Sequence, residues 1–434
     1  MSSFQASRLN GLDHPTVWTE FSPLAAEHNA VTLGQGFPNF APPLFCLDAW
    51  STAANTKEND GYIKSNQYTR PECHPRLAKV LSELYSRELG REVDQMTEIA
   101  SGVGCTQVLY LAMQGLLNPG DEVVLFEPAF DIYAAQVKIA GGVPKFSPLR
   151  TIPNKKNAND AFALDFDDLE SKISEKTKAL ILNTPHNPTG KMFSLSEMEK
   201  IRDIVLKYPN LTVVTDEVYD RIVFDPDSSP HIHFASLPDM FDRTLTLSSA
   251  GKTFSATGWK VGWAVGPSHL IKCITGVQQW CCFSIPTTNQ EAVAIALEEA
   301  EKPFENHSNY YDWLSATFKR KCDKLCDALL AANMNPIAPN GGYFICADTS
   351  NIELPSAYLT NFDSPAAPTT NPLPRDWALA RYLCIEKRIG TIPPSAFYSL
   401  DNIDNAQNIL RFAYCKTDEI LEEAVDVLKA ANKS

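Results

Sequence analysis

The run Leu247-Ser-Ser-Ala-Gly-Lys-Thr-Phe-Ser-Ala-Thr-Gly-Trp-Lys-Val-Gly-Trp263 sets Lys252 among small residues, with a second lysine, Lys260, eight positions on. Glycine, serine and alanine around it let the backbone approach a ligand closely, a freedom an ordinary surface loop does not need. An amine held in this way can carry an aldehyde. Two nucleotide-binding alternatives fail on spacing. Gly251-Lys252-Thr253 imitates the end of a P-loop, but that pattern needs a glycine five residues before Gly251, where the chain has Thr246. Gly102-Val-Gly104 supplies two glycines of a dinucleotide fingerprint, yet Gln107 stands where the third should let helix and sheet pack.

Other groups could serve the same chemistry. The β-rich run Val213-Val-Thr-Asp216-Glu-Val-Tyr219 ends in a carboxylate with a tyrosine three residues later; taken alone, Asp216 reads as a strand-end turn or helix cap. Asn183-Thr-Pro-His-Asn-Pro-Thr-Gly190 is a rigid polar turn able to fix two side-chain amides, although Asn, Pro and Gly are also the usual turn residues. Ser101-Gly-Val-Gly104-Cys-Thr106 precedes the helix-patterned Val108–Leu117, so backbone N–H groups at a helix start can meet a phosphate. Arg411, in Asn408-Ile-Leu-Arg-Phe-Ala-Tyr414, offers the planar fork that matches a carboxylate. Metal chemistry is not expected. Cys322 and Cys326 lack a second ligand pair, and His231 and His233 form an i, i+2 pair without a third ligand in the sequence.

These residues need elements to position them. Short apolar runs at Val123–Phe126, Ala179–Leu182, Leu211–Thr215, Thr244–Leu247 and Val261–Val265 alternate with helical patterns, which predicts a mainly parallel sheet covered by helices. Ligands collect at strand ends in such sheets, where the candidate groups fall. The last third changes character: a long helix over Asn306–Asn333, a strand at Tyr343–Ala347, a proline-rich surface stretch over Asn361–Pro374, a helix at Trp377–Lys387, a strand at Leu410–Tyr414 and a closing helix at Asp418–Ala431. This portion reads as a smaller α/β domain, joined by the N-terminal segment around Val31–Phe40.

A chain of 434 residues exceeds the ~250–300 residues at which single cores stop growing, so two domains are expected. A net charge of −14 opposes partners such as nucleic acid or anionic lipid, and no apolar run is long enough to span a bilayer. Eleven scattered cysteines suit a reducing compartment. The first residues lack a secretory core or an arginine-rich amphipathic pattern, so a cytoplasmic protein is expected, a mitochondrial pool being compatible.

In this order, the motifs resemble those of the pyridoxal 5'-phosphate (PLP) aminotransferases of class I/II, and most closely the kynurenine aminotransferase and cysteine-S-conjugate β-lyase branch. The resemblance runs from about Trp18 to Leu428. It implies the PLP-dependent transferase fold type I: an α/β chain with a mainly parallel central sheet of the seven-stranded type in a large domain, residues 46–305, and a smaller α/β domain, residues 306–434, to which the arm 1–45 contributes. Lys252 would carry PLP and act as the catalytic base. Asp216 would keep the pyridine nitrogen protonated, since only the pyridinium is a strong electron sink. Asn187 and Tyr219 would face the ring oxygen, with Asn183 beside them; Gly104, Cys105, Thr106, Ser249 and Lys260 would form the phosphate cup, and Phe130 would stack on the ring. Tyr68 would reach the phosphate of a neighbouring subunit, which implies a homodimer with shared sites. Trp18, Gly36, Asn187 and Arg411 match substrate contacts.

The implied activity moves the amino group of an aromatic amino acid, kynurenine first, to a 2-oxo acid. Trp18, Tyr133 and Phe283 are expected to favour aromatic side chains. Elimination from cysteine S-conjugates would use the same residues and is the alternative; a non-catalytic regulator would need an attached DNA-binding module or a lost lysine, and the sequence shows neither. Three positions depart from the pattern: the Thr-Arg-Pro-Glu-Cys-His-Pro-Arg76 run after Tyr68, Thr106 where some relatives have an aromatic residue, and Ser284 where some have histidine.

Overall fold

The computed structural model describes residues 5–55, 64–360, 364–370 and 372–431. The first four residues, and positions 361–363 and 371 of the proline-rich stretch, therefore lie outside the described residues. A seven-stranded sheet is built from β1 (Ile99–Val103), β2 (Glu122–Glu127), β3 (Val143–Pro148), β4 (Thr177–Asn183), β5 (Thr212–Asp216), β6 (Thr244–Ser249) and β7 (Val261–Val265), in the order β1-β7-β6-β5-β4-β2-β3. Neighbours are parallel except β7, which is antiparallel to both β1 and β6. A parallel return needs a crossover of a dozen or more residues. The link carrying Lys252 is shorter, and β7 comes straight back.

Every residue of β6 and β7 is buried, as expected of strands covered on both faces. β1 and β3 escape the sequence reading. Ile99-Ala-Ser-Gly-Val103 resembles a loop, yet it pairs along its whole length with β7, Ile99 opposite Val265. Edge strand β3 carries Pro144 and Pro148, and proline within a run argues against a strand anywhere but at an edge.

The C-terminal part contains a helix over Tyr310–Ala331, an antiparallel sheet of β8 (Asn335–Ile337), β9 (Phe344–Asp348) and β10 (Ile409–Ala413), and helices over Arg375–Lys387 and Asp418–Ala431. The first helix starts later than its periodicity predicts because Asn309 caps it, accepting from the Asp312 amide. The N-terminal arm belongs with this part: helix Val17–Glu27 packs on Arg375–Lys387, and Val31–Thr32 pairs with Ile389–Gly390. One hydrophobic cluster runs from Phe21 and Trp263 to Tyr310, Phe318, Tyr343 and Phe412. Each such side chain contributes roughly 1.5–3 kcal/mol on full burial, so the seam under the strand ends is firmly closed. Among the described residues no helix is long and apolar enough to cross a membrane.

Candidate active site

In-register pairing of Asn183 with Asp216, and of Asp216 with Leu247, brings the carboxyl ends of β4, β5 and β6 into one row. A cavity of about 450 Å³ opens there. Trp18, Gly36, Gly104, Cys105, Thr106, Phe130, Asn183, Asn187, Asp216, Tyr219, Ser249, Lys252, Lys260 and Arg411 all line it. Tyr68 does not: it is 85% exposed and meets Phe283 edge-on at 5.4 Å between ring centroids. Phe283 likewise does not line this cavity.

Lys252 sits in a single helical turn, Ala250–Thr253, directly after β6. Its Nζ donates to the Gly36 carbonyl at 2.7 Å, and its own carbonyl accepts from the Tyr343 hydroxyl at 2.5 Å. Burial pushes the amine down to about 8, against the pull of Asp216. A substantial fraction is then neutral near pH 8 and able to attack a carbonyl.

Asp216 is buried at the end of β5. It accepts from the Tyr133 hydroxyl at 2.7 Å and the Val218 amide at 3.3 Å, and the Cys105 thiol lies 3.7 Å away. Burial raises its pKa; these donors and Lys252 oppose the rise. Tyr133 lines the cavity, but its hydroxyl is committed to Asp216, so its polar end serves the carboxylate and not a substrate. Asn183 is also committed: its amide donates to the Asp216 carbonyl at 2.8 Å and accepts from the Asn187 amide at 2.7 Å, bracing the turn.

Arg411, on β10, is 1% exposed. It donates to Asn187 Oδ1 at 3.1 Å and to the Gly34 carbonyl at 2.7 Å, with Phe344, Phe397 and Trp18 rings 4.2, 5.1 and 5.3 Å from its Cζ. Its buried Nε lacks a partner, and among the described residues no carboxylate bonds the guanidinium. Burial lowers its pKa to about 10. A carboxylate entering the cavity would relieve both deficits.

The backbone over residues 34–37 collects the cations. Gly34 O meets Arg411, Gln35 O meets Lys416 at 2.8 Å, Gly36 O meets Lys252, and Phe37 O meets Lys416 at 3.1 Å. Gly36 must be glycine here, since a Cβ would fall 2.2 Å from the Phe344 ring.

On the opposite wall, helix Gly104–Leu116 begins at the cavity, with Cys105 and Thr106 in its first turn. Gly104 has φ +73°, and a Cβ there would come within 3.0 Å of Lys260 Nζ. Helix-start amides and an ammonium thus converge on one spot, a suitable anion cradle. Ser101 is not part of it; its hydroxyl is buried in β1, donating to the Glu72 carbonyl and to Gln290, each at 3.1 Å.

The structure supplies the third group that the sequence lacks beside His231 and His233. Glu217 Oε2 accepts from His233 Nδ1 at 2.5 Å and His231 Nε2 at 2.9 Å, while His233 Nε2 faces Glu88 at 3.1 Å and Arg221 holds Glu88 at 2.5 Å. Both imidazoles turn to the same carboxylate oxygen at hydrogen-bond distance. Burial would lower His233, but Glu217 and Glu88 outweigh it and hold the imidazole at about 10.

The family model for aminotransferase class I and II matches residues 28–428. The chain is a class I and II aminotransferase. It is 45% identical to the kynurenine–oxoglutarate transaminase of Dictyostelium discoideum, over 99% of this chain and 97% of that protein. It is 38% identical to human kynurenine–oxoglutarate transaminase 1, over 97% and 96%. Among solved structures, Bna3p of Saccharomyces cerevisiae, reported as a candidate kynurenine aminotransferase, superposes with a TM-score of 0.90 at 29% identity, covering 99% of both chains. A Thermus thermophilus aspartate aminotransferase variant superposes at 0.81 with 25% identity, over 98% of this chain and 99% of that one. This aminotransferase therefore shares its α/β fold with enzymes of differing named substrates, and pocket walls must account for the difference.

Proposed function

We propose that this aminotransferase is PLP-dependent and transfers the amino group of an aromatic amino acid, kynurenine foremost, to a 2-oxo acid. The observation that carries the proposal is one cavity holding a lysine amine lowered to about 8 and a buried guanidinium without a carboxylate partner. The residues also fit PLP. Asp216 is a carboxylate whose pKa burial raises despite its donors and Lys252, and a protonated ring nitrogen would offset that rise further. The Gly104–Thr106 helix start and Lys260 suit a phosphate, with Ser249 at the rim. Phe130 and Tyr219 offer a ring face and a hydroxyl on the same walls. When bound, PLP would supply an electron sink for cleavage at the substrate Cα.

This chain's own residues would do the rest. Lys252 would hold the cofactor through its amine, and that amine would take the proton from the substrate Cα and return it. Arg411, braced by Asn187 and Gly34, orients the α-carboxylate. The Trp18 and Phe344 rings, which line the cavity beside it, would give an aromatic side chain an apolar wall, with Phe397 packed against the guanidinium behind them. The same reading assigns residues 46–305 to a cofactor-binding domain and 306–434, with the arm 1–45, to a smaller one, in a cytosolic homodimer. Tyr68, Trp280 at 85% exposure and Leu44 support a surface that a second copy covers.

The test is purified enzyme with L-kynurenine and 2-oxoglutarate in one cell and an S-substituted cysteine in another. Kynurenic acid in the first with little pyruvate in the second is expected. Pyruvate and thiol release without amino-group transfer would make the chain a β-lyase.

A further inference from the structure

We infer that Asp131 is a substrate-positioning residue: it fixes the indole of Trp18 beside Arg411 and so shapes the room for the substrate side chain. This rests on the proposed function above. Asp131 lies between Phe130 and Ile132, which both line the cavity, but does not line it itself. Its Oδ2 accepts from Trp18 Nε1 at 2.8 Å across 113 residues of sequence. It directly precedes helix Ile132–Ile139 without a side-chain cap bond there, and its carboxylate meets the Ile132 amide and the field of the Arg411 guanidinium as well as the indole.

Trp18 is the element that needs fixing. It projects from the first turn of helix Val17–Glu27, at whose start the Thr16 amide donates to Thr19 Oγ1 at 2.8 Å. The helix is anchored on its far side, where Glu20 accepts from Trp377 Nε1 at 3.2 Å and from Ser364 Oγ at 2.5 Å. Toward the cavity the indole touches Phe397, 6.3 Å between centroids with planes at 43°, and lies 5.3 Å from the Arg411 guanidinium carbon. Neither contact sets the rotation of the ring. The bond to Asp131 does, because an indole N–H has one donor direction. It is also the bond that ties the N-terminal arm to the segment after β2, across the substrate side.

Holoenzyme is prepared as wild type, Asp131→Leu, Asp131→Asn, Trp18→Phe and the Asp131→Leu/Trp18→Phe double variant. KM and kcat are measured with the aromatic donor that wild type uses best and with alanine, and PLP content is read by absorbance. Asp131→Leu and Trp18→Phe are each expected to raise the aromatic KM about 10-fold, the size of one hydrogen bond to a charged acceptor, with kcat within about twofold. Asp131→Asn, which keeps an acceptor oxygen, restores most of the loss; the double variant is no worse than either single one; alanine KM rises less than the aromatic KM in each variant. Additive losses, an unchanged aromatic KM, or Asp131→Asn as weak as Asp131→Leu would overturn the inference. Trp18→Phe removes the N–H donor together with the five-membered ring, so if Asp131→Leu does not fold, the decision rests on whether Asp131→Asn keeps the aromatic KM near that of wild type. Failure of the kynurenine reading appears in wild type, whereas failure of this inference appears only among the variants.

Discussion

Asp216 and Glu217 are consecutive, both buried, and differ in what surrounds them. Glu217 has two imidazoles on one oxygen; their pull overcomes the burial that would raise it, and its pKa falls well below the carboxylate range. Asp216 has hydroxyl, thiol and amide donors, and burial wins. The contrast separates a charge whose compensation is built into the chain from one whose compensation is left to a ligand. The first kind holds structure together, and removing one partner is costly. The second, lining the cavity, is the kind of perturbed group that marks a candidate site.

The strongest way to break this contrast is on the cavity side. Lys252→Ala is expected to reduce turnover by at least ~10⁴-fold, beyond the effect of losing a general base alone, with circular dichroism unchanged; retained transamination in the folded variant would end the assignment. Arg411→Ala is expected to weaken amino-acid binding about 30-fold or more, the effect of removing one member of a buried charge pair, while PLP titration moves far less. Equal loss of both would make the arginine structural.

The Glu217 side should respond in stability. Glu217→Gln leaves the imidazoles without their anion and is expected to cost about 3 kcal/mol in urea unfolding, with kcat nearly kept at a permissive temperature. A loss of kcat without loss of stability would erase the distinction. The smallest effect concerns pH. His233 stands at about 10 against an ordinary 6.5, so its contribution is full below pH 6.5 and is lost as pH rises through 10. Glu88 is held at about 2, against 4.5, by Arg221 and His233 despite burial, so its contribution is full above pH 4.5 and lost as pH falls through 2. His233→Gln should flatten the alkaline limb of an unfolding-against-pH curve; an unaltered limb would mean the pair is not coupled to folding.

Much of this site was legible because its groups lie in short contiguous runs: Lys252 after β6, Asp216 at the end of β5, Arg411 in β10. Apolar continuity revealed the central strands for the same local reason. What stayed hidden depends on pairing across the chain. Tyr133 reaches Asp216 over 83 residues and His233 reaches Glu217 over 16, and no period or motif announces either bond. β1 was obscured by Ser101 and Gly102, which mimic a turn until Val261–Val265 pairs with them.

The four carbonyls of residues 34–37 address Lys252, Arg411 and Lys416 through main chain alone. Such a segment works like a ruler. Its side chains can vary where space permits, but its length cannot: deleting one residue would slide every oxygen by a position, separating the Lys252 amine and the Arg411 guanidinium from their acceptors together. Insertions or deletions between Leu33 and Pro38 should therefore disturb Lys252, Arg411 and Lys416 at once, although the contacts there are made by main chain alone.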